Sequence, residues 1–286
     1  MKQLTEQTQM DMVFRKNRTL YNGYPVNKKT EFKAAVVQFD IDNGQIEINM
    51  DRAIKILDSL SGVSLAVLPE LFACGFDNEH IKEHARHTPE LLERLSAVAR
   101  EKSMALAGSL PEENGGKVFN TLYFIDTDGE IRGAYRKLHL FPLTLEHKFY
   151  GAGDQIVVVD TNIGRIGLMI CYDLRFPEQA RKMFLEDARM ILVSAQWPAP
   201  RVAQWEILAK ARAVENQLFM VCSNRTGTDQ ALKFSGNSLI VNPMGEILAR
   251  ADENQSCQTA VIDLEEADRA RQLIPCGRDR RGDIYG

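Results

Sequence analysis

The sequence predicts an α/β fold with a mixed sheet, on two observations. Apolar runs of strand length alternate along the chain with segments that have helical spacing, which is the pattern of parallel strands joined by helices. Tight turn signals, such as the Asp-Gly pair at residues 128–129, separate other neighbouring strands directly, and such turns join antiparallel pairs. A chain with both kinds of connection builds a sheet that mixes parallel and antiparallel strands.

The first part of the chain predicts a strand–helix–strand–helix–strand unit. Residues 32–39 and 63–68 are apolar runs, and the second is mostly apolar on both faces, as in a buried strand. Between them, residues 49–60 carry apolar side chains close to helical spacing. Residues 89–102 repeat this spacing after a proline, which favours a helix start, and residues 105–109 form the third strand.

Hairpins and a second set of strands and helices follow. Turns at residues 127–130 and 162–164 each join two strands. A proline at residue 177 opens a short helix, and a longer helix is predicted over residues 202–216. A last helix begins at residue 265. The remaining predicted strands are 118–126, 131–137, 155–160, 165–170, 190–194, 218–223, 238–241, 246–250 and 259–263.

Composition limits the possible classes of protein. The chain has 286 residues, of which 44% are hydrophobic, so it can bury a large core. Its 35 basic and 39 acidic residues give a net charge of −4, and no basic stripe favours nucleic acid. No apolar run approaches the ~18 residues of a membrane span. No linker rich in Pro, Gly or Ser divides the chain, which predicts a single domain over residues 32–286.

The five cysteines are odd in number and irregularly spaced, and no Cys-x-x-Cys pair occurs. This pattern favours neither a disulfide framework nor a metal site. Reduced thiols fit a cytoplasmic protein, and we predict that location.

Residues 1–31 differ from the rest of the chain. They are polar and basic, and they lack the apolar core of a signal peptide. We predict an N-terminal extension that is poorly ordered or contacts another subunit.

Three residues with reactive or charged side chains lie where predicted strands end. The apolar run 167–170 ends in Cys171 and meets the helix opened by Pro177, which makes a strand-to-helix elbow with a thiol at its apex. Glu70 follows the strand at 63–68, and Lys137 ends the strand at 131–137. Functional groups in α/β sheets gather at the carboxyl ends of strands. A base, a cation and a nucleophile placed in this way make an amidase-type set.

These motifs resemble those of the nitrilase, or carbon–nitrogen hydrolase, superfamily. Its three motifs match Leu-Pro-Glu at 68–70, Tyr-Arg-Lys-Leu-His-Leu-Phe at 135–141 and Cys-Tyr-Asp-Leu-Arg-Phe-Pro-Glu at 171–178. Residues 195–201 and 211–217 resemble its omega-amidase branch. The resemblance implies a four-layer αββα sandwich, a cofactor-free and metal-free amidase, and a homodimer or larger homo-oligomer paired through the helical layer after the cysteine.

The resemblance also implies roles for the site residues. Cys171 is the expected nucleophile, which needs either a lowered pKa or a base that takes its proton, and a following helix and Lys137 would favour its anion. Glu70 is the expected general base. Lys137 and the Tyr172 backbone N–H would stabilise an oxyanion. Glu146 resembles the second glutamate of the superfamily, which orients the lysine.

The expected substrate is the terminal amide of a small 2-oxo dicarboxylate monoamide, such as 2-oxoglutaramate. Trp197 could wall the acyl pocket or belong to the core. Arg175 and Arg201 could bind a substrate carboxylate, although Arg175 could instead pair with Glu178. Two alternatives stay open: another carbon–nitrogen hydrolase, acting on N-carbamoyl compounds or nitriles, and a non-catalytic binding protein on the same fold.

Overall fold

The computed structural model describes residues 31–229 and 232–285. The predicted extension lies outside the described residues, except that Glu31 begins the first strand. The strands are β1 Glu31–Gln38, β2 Leu65–Val67, β3 Ala105–Asn114, β4 Lys117–Ile125, β5 Ile131–Arg136, β6 Val158–Thr161, β7 Gly164–Ile170, β8 Met190–Ala195, β9 Phe219–Asn224, β10 Thr226–Asp229, β11 Leu232–Ser235, β12 Leu239–Val241, β13 Ile247–Arg250 and β14 Ser256–Asp263. The helices are α1 Ile46–Ser59, α2 Ile81–Lys102, α3 Glu146–Phe149, α4 Pro177–Leu185, α5 Val202–Asn216, α6 Glu265–Leu273, α7 Cys276–Asp279 and α8 Gly282–Tyr285.

Two six-stranded mixed sheets have the same plan. The first has the order β14-β1-β2-β3-β4-β5, and the second, read from its other edge, has the order β6-β7-β8-β9-β12-β13. In both, an antiparallel pair is followed by two parallel pairs and two antiparallel pairs. The parallel strands are joined by α1 and α2 in the first sheet and by α4 and α5 in the second. The predicted mixed α/β fold is therefore confirmed.

The burial pattern of β1 gives the layer order. Ala34 and Val36 point into the core between the two sheets, where they join apolar residues of both. Ala35 and Val37, on the opposite face, pack in the cluster that contains the apolar stripes of α1 and α2. The outer face of the second sheet is covered by α4 and α5, whose buried side chains belong to a cluster that is continuous with the inter-sheet core. The four-layer αββα sandwich is confirmed.

Polar side chains also join the two sheets near their strand ends. Ser194 Oγ of β8 donates to the carbonyl of Leu68 at 2.8 Å, and Ser223 Oγ of β9 donates to the carbonyl of Val37 at 2.5 Å. Both hydroxyls are buried, so each bond satisfies a donor that could not reach water. These contacts hold the carboxyl ends of the central strands close together, where the candidate site lies.

One predicted helix needs correction, and one hairpin was not predicted. The helix expected from Pro89 begins at Ile81 and contains Pro89 in its interior. The first two turns are polar on their outer face but bury Ile81, His84 and Ala85, so tertiary burial extends the helix past the proline signal. The β10–β11 hairpin was not predicted, because its sequence is short and polar.

No helix in the described ranges is long and apolar enough to cross a membrane. The cytoplasmic location stays a prediction, as does the homodimer. The helical layer expected to mediate pairing carries exposed apolar side chains at Leu185, Ile207 and Val214.

Candidate active site

Glu70 is fully buried just beyond β2, and three groups hold its carboxylate. Oε1 accepts a bond from Asn120 Nδ2 at 2.8 Å and one from Lys137 Nζ at 2.8 Å. Oε2 accepts from the backbone N–H of Gln196 at 2.9 Å, and the Gln196 side chain donates to the Glu70 carbonyl at 2.9 Å. The next residue, Leu71, has a φ of +43°, which turns the chain sharply at the carboxylate. Both sheets therefore fix the orientation of Glu70.

Lys137 lies directly after β5 with its side chain fully buried. Its ammonium donates to Glu70 Oε1 and to Glu146 Oε1, each at 2.8 Å. Burial alone would lower the pKa of this lysine, but Glu146 and Glu70 outweigh it and raise the pKa well above its usual value. The cation is therefore permanent at neutral pH. An ammonium has three donors, so two hydrogen bonds leave one for another acceptor.

Glu146 opens the short helix α3 and is buried beside Lys137. Its Oε2 accepts from the backbone N–H of Phe141 at 2.9 Å, while Oε1 faces the ammonium. Burial raises the pKa of Glu146, and Lys137 opposes that rise. The side chain also borders the pocket described below. Glu146 can thus orient Lys137 and contact a bound molecule.

Cys171 follows β7 and has a φ of +44°, in the left-handed region that a residue with a side chain rarely adopts. Only 8% of the residue is exposed, although the thiol borders the pocket. Burial, and then Glu70, raise the pKa of this thiol well above its usual value, and Lys137 opposes them. Lys137 thus favours the anion, as expected, but burial and Glu70 outweigh it, so the resting sulfur is a neutral thiol. A base must take the proton as the sulfur reacts.

A pocket of about 390 Å³ opens beside Cys171. Aromatic side chains form much of its wall, as is usual for small-molecule sites. Tyr172 packs against Phe141 with ring centroids 4.8 Å apart and against Phe176 at 5.3 Å. Phe234, from the unpredicted β10–β11 hairpin, closes another side.

Trp197 and two arginines border the same pocket. Trp197 is 2% exposed and donates from Nε1 to the carbonyl of Arg201 at 2.8 Å, so it is both a core residue and a pocket wall. The Arg175 guanidinium lies 4.7 Å above the Trp197 ring and donates to Gln204 at 2.6 Å. Arg201 lies 5.5 Å from the centroid of Phe141. In the described part of the chain, neither arginine has a carboxylate partner, and the considered Arg175–Glu178 pair is not formed.

Sequence analysis missed several residues that shape this site. Asn120 and Gln196 both bind Glu70, and the Gln196 side chain accepts from buried Arg225 at 2.9 Å. Arg225 also pairs with Asp40 at 2.9 Å. Asn120 lies within a strand and is buried. An amide among apolar strand residues was the available sign that its side chain has a buried hydrogen-bond partner.

Comparison with known proteins decides the family. The sequence profile of the carbon–nitrogen hydrolases, described as "Carbon-nitrogen hydrolase", matches residues 33–272. The chain belongs to the carbon–nitrogen hydrolase family. It is 36% identical over 252 residues to the 2-oxoglutaramate amidase of Bacillus subtilis, covering 87% of this chain and 97% of that protein. It is 34% identical over 269 residues to the omega-amidase of Homo sapiens, covering 90% and 97%.

A solved structure agrees with these relatives. A variant of the amidase from Nesterenkonia sp. AN1 superposes with a TM-score of 0.79 at 26% identity, covering 92% of this chain and 98% of that one. That structure carries the acetamide moiety of fluoroacetamide added covalently at its active-site cysteine. Together, the family and its relatives identify this protein as an enzyme that hydrolyses linear amides. The alternative of a non-catalytic binding protein is wrong.

Proposed function

We propose that the enzyme hydrolyses the terminal carboxamide of a small 2-oxo dicarboxylate monoamide, such as 2-oxoglutaramate, through a thioester on Cys171. The observation that carries the proposal is the hydrogen-bonded set of Glu70, Lys137 and Glu146, of which Glu146 borders the same pocket as Cys171. The names of two relatives, a 2-oxoglutaramate amidase and an omega-amidase, support the choice of substrate.

The reaction begins with the neutral thiol, because burial disfavours its anion. Cys171 Sγ attacks the carboxamide carbon while Glu70 accepts the thiol proton. This transfer avoids a free thiolate beside two buried carboxylates. The covalent adduct at the active-site cysteine of the Nesterenkonia amidase is a precedent for a sulfur nucleophile.

The tetrahedral intermediate carries a negative oxygen that needs donors. Lys137 supplies one, since Glu70 and Glu146 occupy only two of its three N–H groups. The Tyr172 backbone N–H, at the start of the turn after Cys171, supplies a second. Donors fixed before the reaction stabilise the developing charge without reorganising.

The intermediate collapses by breaking its carbon–nitrogen bond. Glu70 returns the proton to the departing nitrogen, so ammonia leaves and a thioester remains. Glu70 then takes a proton from water, whose oxygen attacks the thioester carbon. When the carbon–sulfur bond breaks, the proton passes to the sulfur, and the carboxylic acid is released with Cys171 restored. One carboxylate thus serves both half-reactions.

Arg175 and Arg201 account for the distal part of the substrate. Both guanidiniums border the pocket and are free to bind a carboxylate or the adjacent 2-oxo group. Two cations disfavour a substrate with an ammonium at the same carbon, so glutamine should be a poorer substrate than its 2-oxo analogue. N-carbamoyl compounds and nitriles remain the rival substrates within the family.

A substrate panel tests this proposal. We would measure kcat/KM by ammonia release from 2-oxoglutaramate, glutamine, an N-carbamoyl amine and an aliphatic nitrile. We expect 2-oxoglutaramate to be best, and Arg175→Met and Arg201→Met to raise its KM about tenfold or more, through loss of a charged hydrogen bond. Cys171→Ala should abolish turnover of every substrate. A carbamoyl compound or nitrile as best substrate contradicts the substrate proposal, and an active Cys171→Ala contradicts the mechanism.

A further inference from the structure

Asp173 is a fully buried carboxylate that the proposed reaction does not use. Its Oδ2 accepts from the backbone N–H of Ile170 at 3.1 Å and from the Tyr135 hydroxyl at 2.6 Å. Its Oδ1 accepts from the backbone N–H of His139 at 3.0 Å and lies 2.8 Å from His139 Nδ1. Three donors and the His139 ring therefore converge on one side chain, which offsets the cost of burying its charge.

These donors come from the two chain segments that carry the thiol and the ammonium. Ile170 immediately precedes Cys171 at the end of β7, whereas Tyr135 and His139 lie two residues before and after Lys137. We propose that Asp173 is a positioning residue that holds the end of β5 against the Cys171 elbow, and so keeps the Lys137 ammonium aligned with the thiol. This inference rests on the proposed roles of Cys171 and Lys137.

The backbone conformation of the elbow indicates why such a clamp is needed. A φ of +44° at Cys171 costs free energy and persists only where neighbouring contacts over-determine the chain. Asp173 fixes the peptide on the amino side of Cys171 by accepting from Ile170. On the carboxyl side, Phe176 stacks on the His139 ring, with centroids 3.6 Å apart and planes 7° from parallel. The Lys137 segment thus contacts the elbow at Asp173 and at Phe176, and Asp173 in turn fixes Ile170.

Tyr135 completes the clamp. Besides donating to Asp173, its hydroxyl accepts from the Leu138 backbone N–H at 3.1 Å and from Gln179 Nε2 at 2.9 Å. Burial, and then the Asp173 charge, raise the pKa of Tyr135 well above its usual value, so the phenol keeps its proton and remains a donor. The network therefore joins β5, the Cys171 turn and helix α4 through buried hydrogen bonds.

A second buried aspartate provides a matched control. Asp126 is 1% exposed and accepts from the backbone N–H groups of Thr127 and Asn162 at 2.8 and 2.9 Å. It joins the β4–β5 turn to the β6–β7 turn, at the end of these strands away from Lys137. Loss of its charge should weaken the fold without moving the candidate site.

The test compares Asp173→Asn, Tyr135→Phe and Asp126→Asn in the full chain. We would measure Tm, kcat and KM, and the rate at which iodoacetamide alkylates Cys171, quantified from the Cys171 peptide. The substituted amide would place N–H groups against the donors that Asp173 binds, so Asp173→Asn should misalign Lys137 and the Cys171 thiol. We expect kcat to fall about 30- to 100-fold and KM to change less than about threefold. Tyr135→Phe should lower kcat about tenfold. Alkylation should slow in both, while Asp126→Asn lowers Tm only.

The outcomes separate the clamp from a general role in folding. A folded Asp173→Asn enzyme with kcat and alkylation rate within about twofold of the parent would overturn the proposal, as would an equal loss in Asp126→Asn. If Asp173→Asn does not fold, Tyr135→Phe decides, and an unchanged kcat there overturns the clamp. Full activity in Cys171→Ala would instead contradict the proposed function itself.

Discussion

The two sheets share one plan of strand order and pairing but contribute different chemistry to the candidate site. The first sheet carries the charges: Glu70 follows β2, and Lys137 follows β5. The second carries Cys171 after β7 and the pocket wall after β8. Because the charges and the thiol lie on opposite sheets, neither half can perform the proposed reaction alone. The site exists only where the two halves pack together.

Strands at corresponding positions in the two sheets end in residues with different roles. In the shared plan, β2 corresponds to β8, and their ends meet: Gln196 after β8 donates backbone and side-chain bonds to Glu70 after β2. The strands β1 and β7 also correspond. β7 leads to Cys171, whereas β1 ends at Gln38, whose side chain binds the backbone of Asp252 and Asn254. The end of this strand thus leads to the proposed nucleophile in the second sheet, whereas in the first sheet it makes a structural contact.

Among the variants that test the contributions of the two sheets, Lys137→Met should lose the most activity and stability. The change removes the oxyanion donor and leaves Glu70 and Glu146 buried without their shared cation. We expect kcat to fall about 100- to 1000-fold and the free energy of unfolding to fall by about 3–5 kcal/mol. Steady-state kinetics and urea unfolding would measure both. A variant with near-parental kcat would contradict the role of Lys137, whereas lost stability with full activity would leave only a structural role.

The strand ends could be read from sequence because each joins a buried apolar run to a polar residue. Glu70, Lys137 and Cys171 were each predicted in this way, and the structure brings them together. The raised pKa of the Cys171 thiol could not be predicted, since it depends on burial and on Glu70 from the other sheet. The part played by Asn120 was hidden for the same reason, because a strand position does not reveal which distant carboxylate it faces.

The bounds of helices and strands were likewise predicted where local sequence determines them and missed where tertiary packing does. The helix over Val202–Asn216 was predicted at its observed limits, because it is rich in residues that favour helices and no glycine or proline interrupts it. The helix α2 was predicted too short, because Pro89 is a start signal that tertiary packing overrides. The β10–β11 hairpin, which brings Phe234 to the pocket, has no apolar alternation long enough to recognise. Local patterns thus predicted the scaffold better than the pocket wall.

A smaller effect should distinguish what each sheet does for Glu70. Asn120→Ala removes one of the two donors that the first sheet gives to Glu70, and we expect kcat to fall about tenfold, the effect of one hydrogen bond to a charged group. Gln196→Ala keeps the backbone N–H that binds Glu70 from the second sheet, so we expect a loss of about threefold. Thr121→Ala is the control, because Thr121 neighbours Asn120 but binds Glu112 at 2.7 Å.

Steady-state kinetics at a temperature well below each Tm would rank the three variants. If Gln196→Ala loses more activity than Asn120→Ala, the second sheet orients Glu70 mainly through the Gln196 side chain and its bond to Arg225. A loss in Thr121→Ala equal to that in Asn120→Ala would mean that the strand, and not the amide, is responsible.

The smallest predicted effect concerns two thiols that the proposed reaction does not use, one associated with each sheet. Burial raises the pKa of Cys74, after β2, and of Cys222, in β9, above the usual 9.0. A raised folded-state pKa gives stability that is complete below pH 9 and lost as the pH rises toward the folded value. Each thiol should therefore steepen the fall in unfolding free energy above pH 9 by about 1.4 kcal/mol per pH unit.

Urea unfolding between pH 7 and 10.5 would measure this slope in Cys74→Ala and Cys222→Ala. Each variant should flatten the alkaline slope by one proton, because burial is the largest cause of both shifts and holds each folded thiol neutral across this pH range, although Asp77 adds to the shift of Cys74. Val221→Ala is the matched control, because Val221 is a buried neighbour in β9 with no titratable group. It should lower stability at every pH and keep the parental slope. Unequal slopes in the two cysteine variants would mean that one thiol reaches water in the folded state, and that the two halves differ in packing as well as in chemistry.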